Sequence, residues 1–548
     1  MAKRPALPRP TLVDRAVGVF SPVAELRRLQ ARQAIDILSA GGGYSAVRKR
    51  RGILSQWSAA DPGPNSALLP DLPDLRAESR ELYRTAPLAR GAISTVVTNT
   101  VDTGLQPRPV PDAEGLGLSR DEAAAFKRAA LREWWAFAGS AECDLERTLN
   151  FAQLQELALR TTLIAGDVFV VKRFRERAGS LYGLKLQLLD ADRCSNPERR
   201  ADEHGLAGGI ETDTDGAPLR YHFTDRHPGE YLMGGASLTW TPVDAFGAES
   251  GMRQVMHLYR KLAPEQLRGE PYLAPVIEQL KQLSDYSSAE ITAAVVNSCF
   301  AVVSKTEGAA GVDLEGGSQT DGKGQPINLS RPGQIVDLGV NESLESFTPE
   351  RPSAAFGPFV ESVLRQVGVA LEIPFEVLVG HFTSSYSASR AALLQVWKFF
   401  RGRREWLATG LCQPTWEALI TEAVARGRLA APGFLADHGI RAAWLACEWH
   451  GPSPGSIDPL RESQALELQM RIRTKSLSQA VTETTGADVT DTLDQIQSEQ
   501  EAMEERGIAQ IWSGQAAAPQ PADSSGKTPP SEDQPGNETG DDEEEIDP

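Results

Sequence analysis

Residues that could do chemistry are sparse in this chain of 548 residues, and the first candidates fail on spacing. Gly526-Lys527-Thr528 has the ending of a nucleotide-binding loop, whose backbone N–H groups and lysine cradle phosphates. That loop needs a glycine where Pro521 stands, and the triplet lies in a run of Pro, Ser and acids, so the match is chance. Cys447 and His450 are three apart, but a closed metal site needs further ligands, and a lone pair is more often structural. The five cysteines (Cys143, Cys194, Cys299, Cys412 and Cys447) form no CxxC pair and are odd in number. Neither a disulfide framework nor a zinc ribbon follows, and reduced thiols fit best. Asp190 and Asp192 are a pair of carboxylates at a strand end, where solvated turn carboxylates are the common explanation. HExxH is absent and the seven histidines are scattered. No catalytic residue, metal ligand or cofactor site is expected, and a non-enzyme is the better reading.

Two polar runs remain. His381, Thr383, Ser384, Ser385, Tyr386 and Ser387 offer small hydroxyls and an aromatic ring, with no Lys or Arg among them. Taken alone they read as an ordinary surface turn. Arg401, Arg403 and Arg404 fall on a helix expected from Ala388 to about Thr409, where they either meet acids of a neighbouring subunit or stay solvated.

Charge distribution is more informative than its total of −18. Residues 1–52 carry 11 Lys and Arg against 3 acids, whereas the tail from 513 carries 10 acids against one Lys. The body between them is also acidic. A protein that grips DNA shows a basic stripe instead, because phosphate contacts supply the affinity. No apolar run approaches the ~20 residues of a membrane span, and MAKRPALPRP does not lead into a signal-peptide core. A soluble protein made in the cytosol is expected.

The elements that would hold these residues follow from periodicity. Residues 1–60 form a basic arm with Pro-rich and Gly-rich pieces, including Arg48-Lys49-Arg50-Arg51. From about 74 apolar positions recur at helical spacing, and Ser119 with Glu122 spells a capping box before Phe126, Ala130, Trp134 and Phe137. A helix from Asn150 stops at Gly166, after which 167–171, 184–189 and 255–259 read as strands. Asp215-Gly216 marks a hairpin. The order of elements predicts an α+β unit rather than a doubly wound sheet. Two long helices, about 272–298 and 353–371, bracket a Gly-rich segment. Asp458-Pro459 opens a late helix, Asp as cap and Pro in the first turn. The segment 513–548 lacks the apolar residues to fold.

Read in order, these segments resemble the lambda-type family of phage portal proteins over about 80–510. The resemblance is carried by Tyr83-Arg84-Thr85-Ala86-Pro87-Leu88-Ala89-Arg90-Gly91-Ala92, Ala165-Gly166-Asp167-Val168-Phe169 and Leu186 to Arg193. It continues in His257-Leu258-Tyr259, Arg268-Gly269-Glu270-Pro271-Tyr272-Leu273-Ala274-Pro275, Gly368 to Leu378, Ser384 to Ser387 with Arg390, and Asp458 to Glu462. Each piece is weak alone; their shared order is specific. The resemblance implies a ring, typically of twelve subunits, at the portal vertex of a virion, assembled in the host cytoplasm. The implied layout is a basic N-terminal arm (1–60), an α+β wing (61–271), stem helix 1 (272–298) and a small clip (299–350). Stem helix 2 (351–378), a tunnel loop (379–388), a helical return to the wing (389–457), a helical crown (458–512) and a disordered acidic tail (513–548) follow. His381, Thr383, Ser384, Ser385, Tyr386 and Ser387 would line the channel, and Arg401, Arg403 and Arg404 would contact the adjacent subunit. The implied partners are further copies of the chain, the large terminase subunit, capsid and scaffold proteins, head–tail connectors, and double-stranded DNA passing without sequence specificity. No membrane is implied. An acidic or neutral lumen suits that task, since every phosphate contact adds a barrier to translocation, and screening confines repulsion to about 10 Å or less. A terminase-like enzyme would need a nucleotide loop; another capsid or scaffold protein would not need two long helices around a Gly-rich segment.

Overall fold

The computed structural model describes residues 62–230, 237–298, 302–306, 342–346, 356–381, 386–453, 459–485 and 489–507. The chain separates into two units at Asp488/Val489. The basic arm (1–60), the tail (513–548) and most of the clip lie outside the described residues.

The first unit opens with α1 (Pro64–Leu68), α2 (Leu72–Thr85) and α3 (Pro87–Thr100), each with Pro in its first turn. Proline is tolerated there because that N–H has no helical partner to lose. Leu72, Leu75 and Leu82 of α2 and Ile93, Val96 and Val97 of α3 are buried. After β1 (Gln106–Pro109), α4 (Arg120–Ala138) starts at the expected Ser119/Glu122 capping box and buries Phe126, Ala130, Trp134 and Phe137. A second capping box, Asn150 with Gln153, opens α5 (Phe151–Ala165), which ends at Gly166.

The strands are β2 (Asp167–Phe174), β3 (Leu184–Asp190), β4 (Leu206–Ala207), β5 (Ile210–Thr212), β6 (Pro218–Thr224), β7 (Trp240–Asp244) and β8 (Val255–Tyr259). β2 lies between β3 and β8 in an antiparallel three-stranded sheet, and β4 to β7 form a meander. The first six residues of β2 are all buried, so both faces of this strand are covered. Val168 and Val170 face the large core shared with the helices, while Phe169 and Val171 face a smaller core with Tyr221 and Phe223. That split is the two-residue alternation of a strand. Gly216 turns the β5–β6 hairpin at φ +84°, as the Asp-Gly signal requires.

The helix expected over 272–298 is shorter than that. Leu273, Ala274 and Val276 are buried in a turn of 3-10 helix, and α6 runs Ile277–Ser298. At 1.5 Å per residue it spans about 33 Å. β9 (Val302–Thr306) and β10 (Glu342–Ser346) pair antiparallel, so the chain goes out and returns within 299–350. The second long helix, α7 (Phe356–Ala370), packs on α6 with the Tyr286 ring 5.3 Å from Phe356 and 5.5 Å from Phe359. It ends before Glu372, which has φ +57°, and Pro374 caps a short α8 (Phe375–Val379) closed by left-handed Gly380.

α9 (Tyr386–Leu407) begins two residues before the expected Ala388 and passes through a π-helical turn, Ala408–Cys412, into α10 (Gln413–Ala425). After α11 (His438–Leu445), β11 (Cys447–His450) pairs antiparallel with β1. That closure joins residues more than 300 positions apart and has no local sequence signal. α12 (Pro459–Arg471) and α13 (Leu477–Thr485) complete the first unit; Asp458, the expected cap of α12, lies outside the described residues. The second unit contains α14 (Val489–Glu505). Among the described residues no helix is long and apolar enough to cross a membrane.

Candidate functional site

A buried charge cluster surrounds Asp167, the first residue of β2. Asp167 is fully buried. Its Oδ1 accepts from Arg76 Nη2 at 2.7 Å and Arg268 Nη2 at 3.2 Å. Its Oδ2 accepts from Arg268 Nε at 2.5 Å, His257 Nε2 at 3.2 Å and the Gly269 N–H at 3.3 Å. Arg268 also donates to the carbonyls of Ala191, Cys194 and Gly208, which uses all five guanidinium N–H groups. Burial alone pushes the Asp167 carboxyl up, but Arg268 and Arg76, with the His257 hydrogen bond, hold it well below the usual carboxylate range. Burial pushes His257 down to about 4 despite Asp167, so the ring is neutral and its Nε2–H donates to the carboxylate. It is stacked between Phe169 and Tyr259 at 4.3 and 4.2 Å.

The cluster extends outward. Arg76 reaches Asp192 at 3.1 Å, and Arg80 binds Asp190 at 2.8 Å and also Asp192. Asp190 and Asp192 are therefore anchors for α2, not solvated turn acids as the sequence suggested. His227 Nε2 lies 3.5 Å from Asp190 and 3.6 Å from Asp192, whose hydrogen bonds push it up to about 9. Asp190, Asp192 and His227 have the donor types and spacing of a cation site. The guanidinium of Arg80 already lies against both carboxylates, and a second cation there meets it and His227 as like charges.

Four segments that were individually weak in the sequence meet here: Gly166-Asp167, Asp190 to Arg193, His257 to Tyr259 and Arg268-Gly269. Two glycines allow it. A Cβ on Gly166, at φ +91°, would lie 2.3 Å from the Gly269 carbonyl oxygen, and one on Gly269 would lie 2.1 Å from that of Gly166. The cluster thus fixes Arg268–Tyr272, the chain that enters α6. Tyr272 donates its hydroxyl to the Leu371 carbonyl at the end of α7, so the start of α6 and the end of α7 are tied at one root.

The residues singled out from the sequence fall in different places. His381 is exposed just after α8, while Thr383, Ser384 and Ser385 lie outside the described residues. Tyr386 and Ser387 open α9 rather than sitting in a loop. Of the three arginines, Arg403 is buried, its guanidinium 5.4 Å from the Tyr272 ring and 5.1 Å from Phe399. Arg404 donates to the carbonyls of Asn99 and Thr100 and stacks on Trp397. Both are committed within the subunit, which leaves Arg401, exposed, as the one directed outward. Cys447 and His450 lie on one strand at odd spacing and so on opposite faces, which removes them as a ligand pair. Gly451-Pro452-Ser453-Pro454-Gly455 spells the Gly-x-Ser-x-Gly of a nucleophile elbow. In an elbow the N–H after the serine forms the oxyanion hole, and Pro454 has none.

The sheet, the root that ties α6 to α7 and the pairing of those two helices have counterparts to compare in known proteins. The family model described as phage portal protein, lambda family, matches residues 50–404. Portal protein B of Escherichia phage lambda is 24% identical over 437 residues, covering 75% of this chain and 81% of that protein. The portal protein of Escherichia phage N15 is 23% identical over 450 residues, 77% of this chain and 82% of that protein. Among solved structures, a chain of the virion of a native gene transfer agent particle matches at TM-score 0.39 and 13% identity, covering 82% of this chain and 97% of its own. A chain from the neck of the native particle, computed with C12 symmetry, matches at TM-score 0.37 and 14% identity, covering 74% and 92%. A family match that runs from residue 50 through α6, α7 and most of α9 covers well over half of the chain, and with it this is a structural protein, not an enzyme: it belongs to the lambda family of phage portal proteins.

Proposed function

We propose that twelve copies of this chain form a ring at one vertex of a phage-like capsid, through which double-stranded DNA enters during packaging and leaves at ejection. The observation that carries this reading is the family match over residues 50–404. In this layout residues 61–271 and 389–457 are the wing, 272–298 and 351–378 the stem, 299–350 the clip, 379–388 the tunnel segment, running into the first turn of α9, and 458–512 the crown. The clip docks the large terminase subunit and later the head–tail connectors, while capsid and scaffold proteins surround the ring. Assembly takes place in the host cytoplasm, and the ring remains at the portal vertex of the virion.

Several features of the single subunit support it. Ile291 on α6, Phe359 and Val369 on α7, and Leu394 on α9 are 66%, 52%, 82% and 58% exposed. Large apolar side chains exposed along the stem helices and α9 are what a ring would cover with its neighbour. Arg401 is the outward arginine available for a contact between subunits. The body of the chain is acidic, so the wall repels rather than holds the polyanion, and the motor energy comes from the terminase. His381, Thr383, Ser384, Ser385, Tyr386 and Ser387 line the narrowest part of the bore and present no cation to DNA.

The test is packaging in cells producing the particle. Capsids made without this chain should hold no DNA. Replacing Ser384, Ser385 and Tyr386 together with Ala should leave rings intact and lower packaged or retained DNA. Packaging at the level of the unaltered chain would remove the tunnel-loop assignment, and DNA-filled capsids without the chain would remove the portal reading itself.

A further inference from the structure

Beside the four-stranded meander, a groove of about 920 Å³ runs between the α1–α2 turn, the β4–β6 hairpins and residues 261–267. Asp202, Glu203, Asp213, Asp215 and Glu265 line it, against Arg253 and Lys261. Among the described residues none of these five carboxylates has an ion-pair partner. Arg253 is spent on the Phe246 ring, 5.4 Å away. Tyr221, only 3% exposed, also lines the groove, and its hydroxyl has no hydrogen-bond partner among the described residues. Asp202 and Asp213 accept hydrogen bonds within their own loops, but five carboxylates with no cation beside them and the apolar side chains of Leu69, Phe246 and Leu267 call for a basic segment with apolar residues in it.

The chain itself carries such a segment immediately upstream. Arg48-Lys49-Arg50-Arg51 is followed by Ile53, Leu54 and Trp57. The chain enters the first unit at the lip of this groove. Asn65 on α1 donates to the Glu265 carbonyl at 2.9 Å and accepts from the Leu267 N–H at 2.9 Å. From Asn65 back to Arg51 the extended chain reaches up to about 45 Å, ample for the groove. We propose that residues 48–57 dock in this groove of their own subunit, the four cations facing the carboxylates and the apolar residues facing Leu69, Phe246 and Leu267. The wing then holds its own basic arm away from DNA. This inference stands on the groove and the charge pattern and does not need the ring.

Lys49 is the only lysine in the basic tetrad, which makes the test specific. Full-length protein is treated with a zero-length carbodiimide and digested for mass spectrometry. The expected product joins Lys49 to one or more of Asp202, Glu203, Asp213, Asp215 and Glu265. In a mixture of heavy- and light-isotope protein those links should be heavy–heavy or light–light. Substituting Arg48, Arg50 and Arg51 by Glu, with Lys49 kept, should cut their yield at least tenfold and speed amide exchange over 203–216. Coupling of Lys49 only to other acids, no coupling at all, heavy–light links, or a yield and exchange unmoved by the triple substitution would each overturn the proposal.

Discussion

Replacing Asp167 by Asn should be the most damaging single polar substitution in the wing. The change keeps size and shape but removes the charge that Arg76 and Arg268 share, and it points an NH2 group at guanidinium donors. Their side chains are 5% and 2% exposed, so neither cation can turn to water. Removing one partner of a buried ion pair costs roughly 3–5 kcal/mol; Arg268 loses its carboxylate while Arg76 keeps Asp192 at 3.1 Å, so a cost in the middle of that range, about 4 kcal/mol, is expected. The unfolding of a chain this long is not a single two-state step, so hydrogen exchange read at the amides of β2 is the better assay. At 1.4 kcal/mol per tenfold, the β2 amides should exchange roughly a thousandfold faster through local opening. A double-mutant cycle with Arg268→Met should give a coupling energy of about 2 kcal/mol, since with no carboxylate the second substitution removes an unpaired charge. Acceleration of less than tenfold, with additive single effects, would refute the view that Asp167 organises the entry to α6.

The same cluster predicts a pH dependence. His257 is neutral down to about 4 in the fold, whereas the unfolded ring titrates near 6.5. Stability should therefore fall as pH drops from about 6.5 to 4, by about 3 kcal/mol, and His257→Gln should flatten that slope in urea titrations. His227 has the opposite sign: its folded value of about 9 means that its contribution is complete below about 6.5 and lost as pH rises through 9. His227→Ala should therefore remove a loss of stability between pH 7 and 10. Gly166→Ala drives a Cβ to 2.3 Å from a backbone oxygen at φ +91° and should cost at least about 3 kcal/mol, seen as lost soluble yield. Arg401→Glu should weaken ring formation in sedimentation without lowering the melting temperature of the subunit, whereas Arg403→Met, at a buried stacked position, should lower it.

Local signals in the sequence were reliable wherever a local rule governs the backbone. The Ser119/Glu122 box, the Gly166 stop, the Asp215-Gly216 turn and strand 255–259 all stand as read, because caps, positive φ and two-residue alternation act over a few residues. The charge cluster was invisible for the opposite reason. Arg76, Asp167, Asp192, His257 and Arg268 span nearly 200 residues, and nothing local distinguishes a buried ion pair from surface charge; Asp190 and Asp192 were accordingly read as solvated. The only signal was the recurrence, in family order, of short segments that the fold brings to one point. The π-helical turn at Ala408–Cys412 and the β1–β11 pair were missed because both depend on distant packing. The arginines on α9 show the limit of a charge count: three neighbouring cations have three environments, one outward, one between aromatic rings and one on backbone carbonyls.

Electron microscopy of the purified full-length protein tests the central claim most directly. The portal reading predicts rings with a central hole, of twelve subunits in symmetry classification, with α6 and α7 around the bore. Monomers, filaments or closed shells would contradict it.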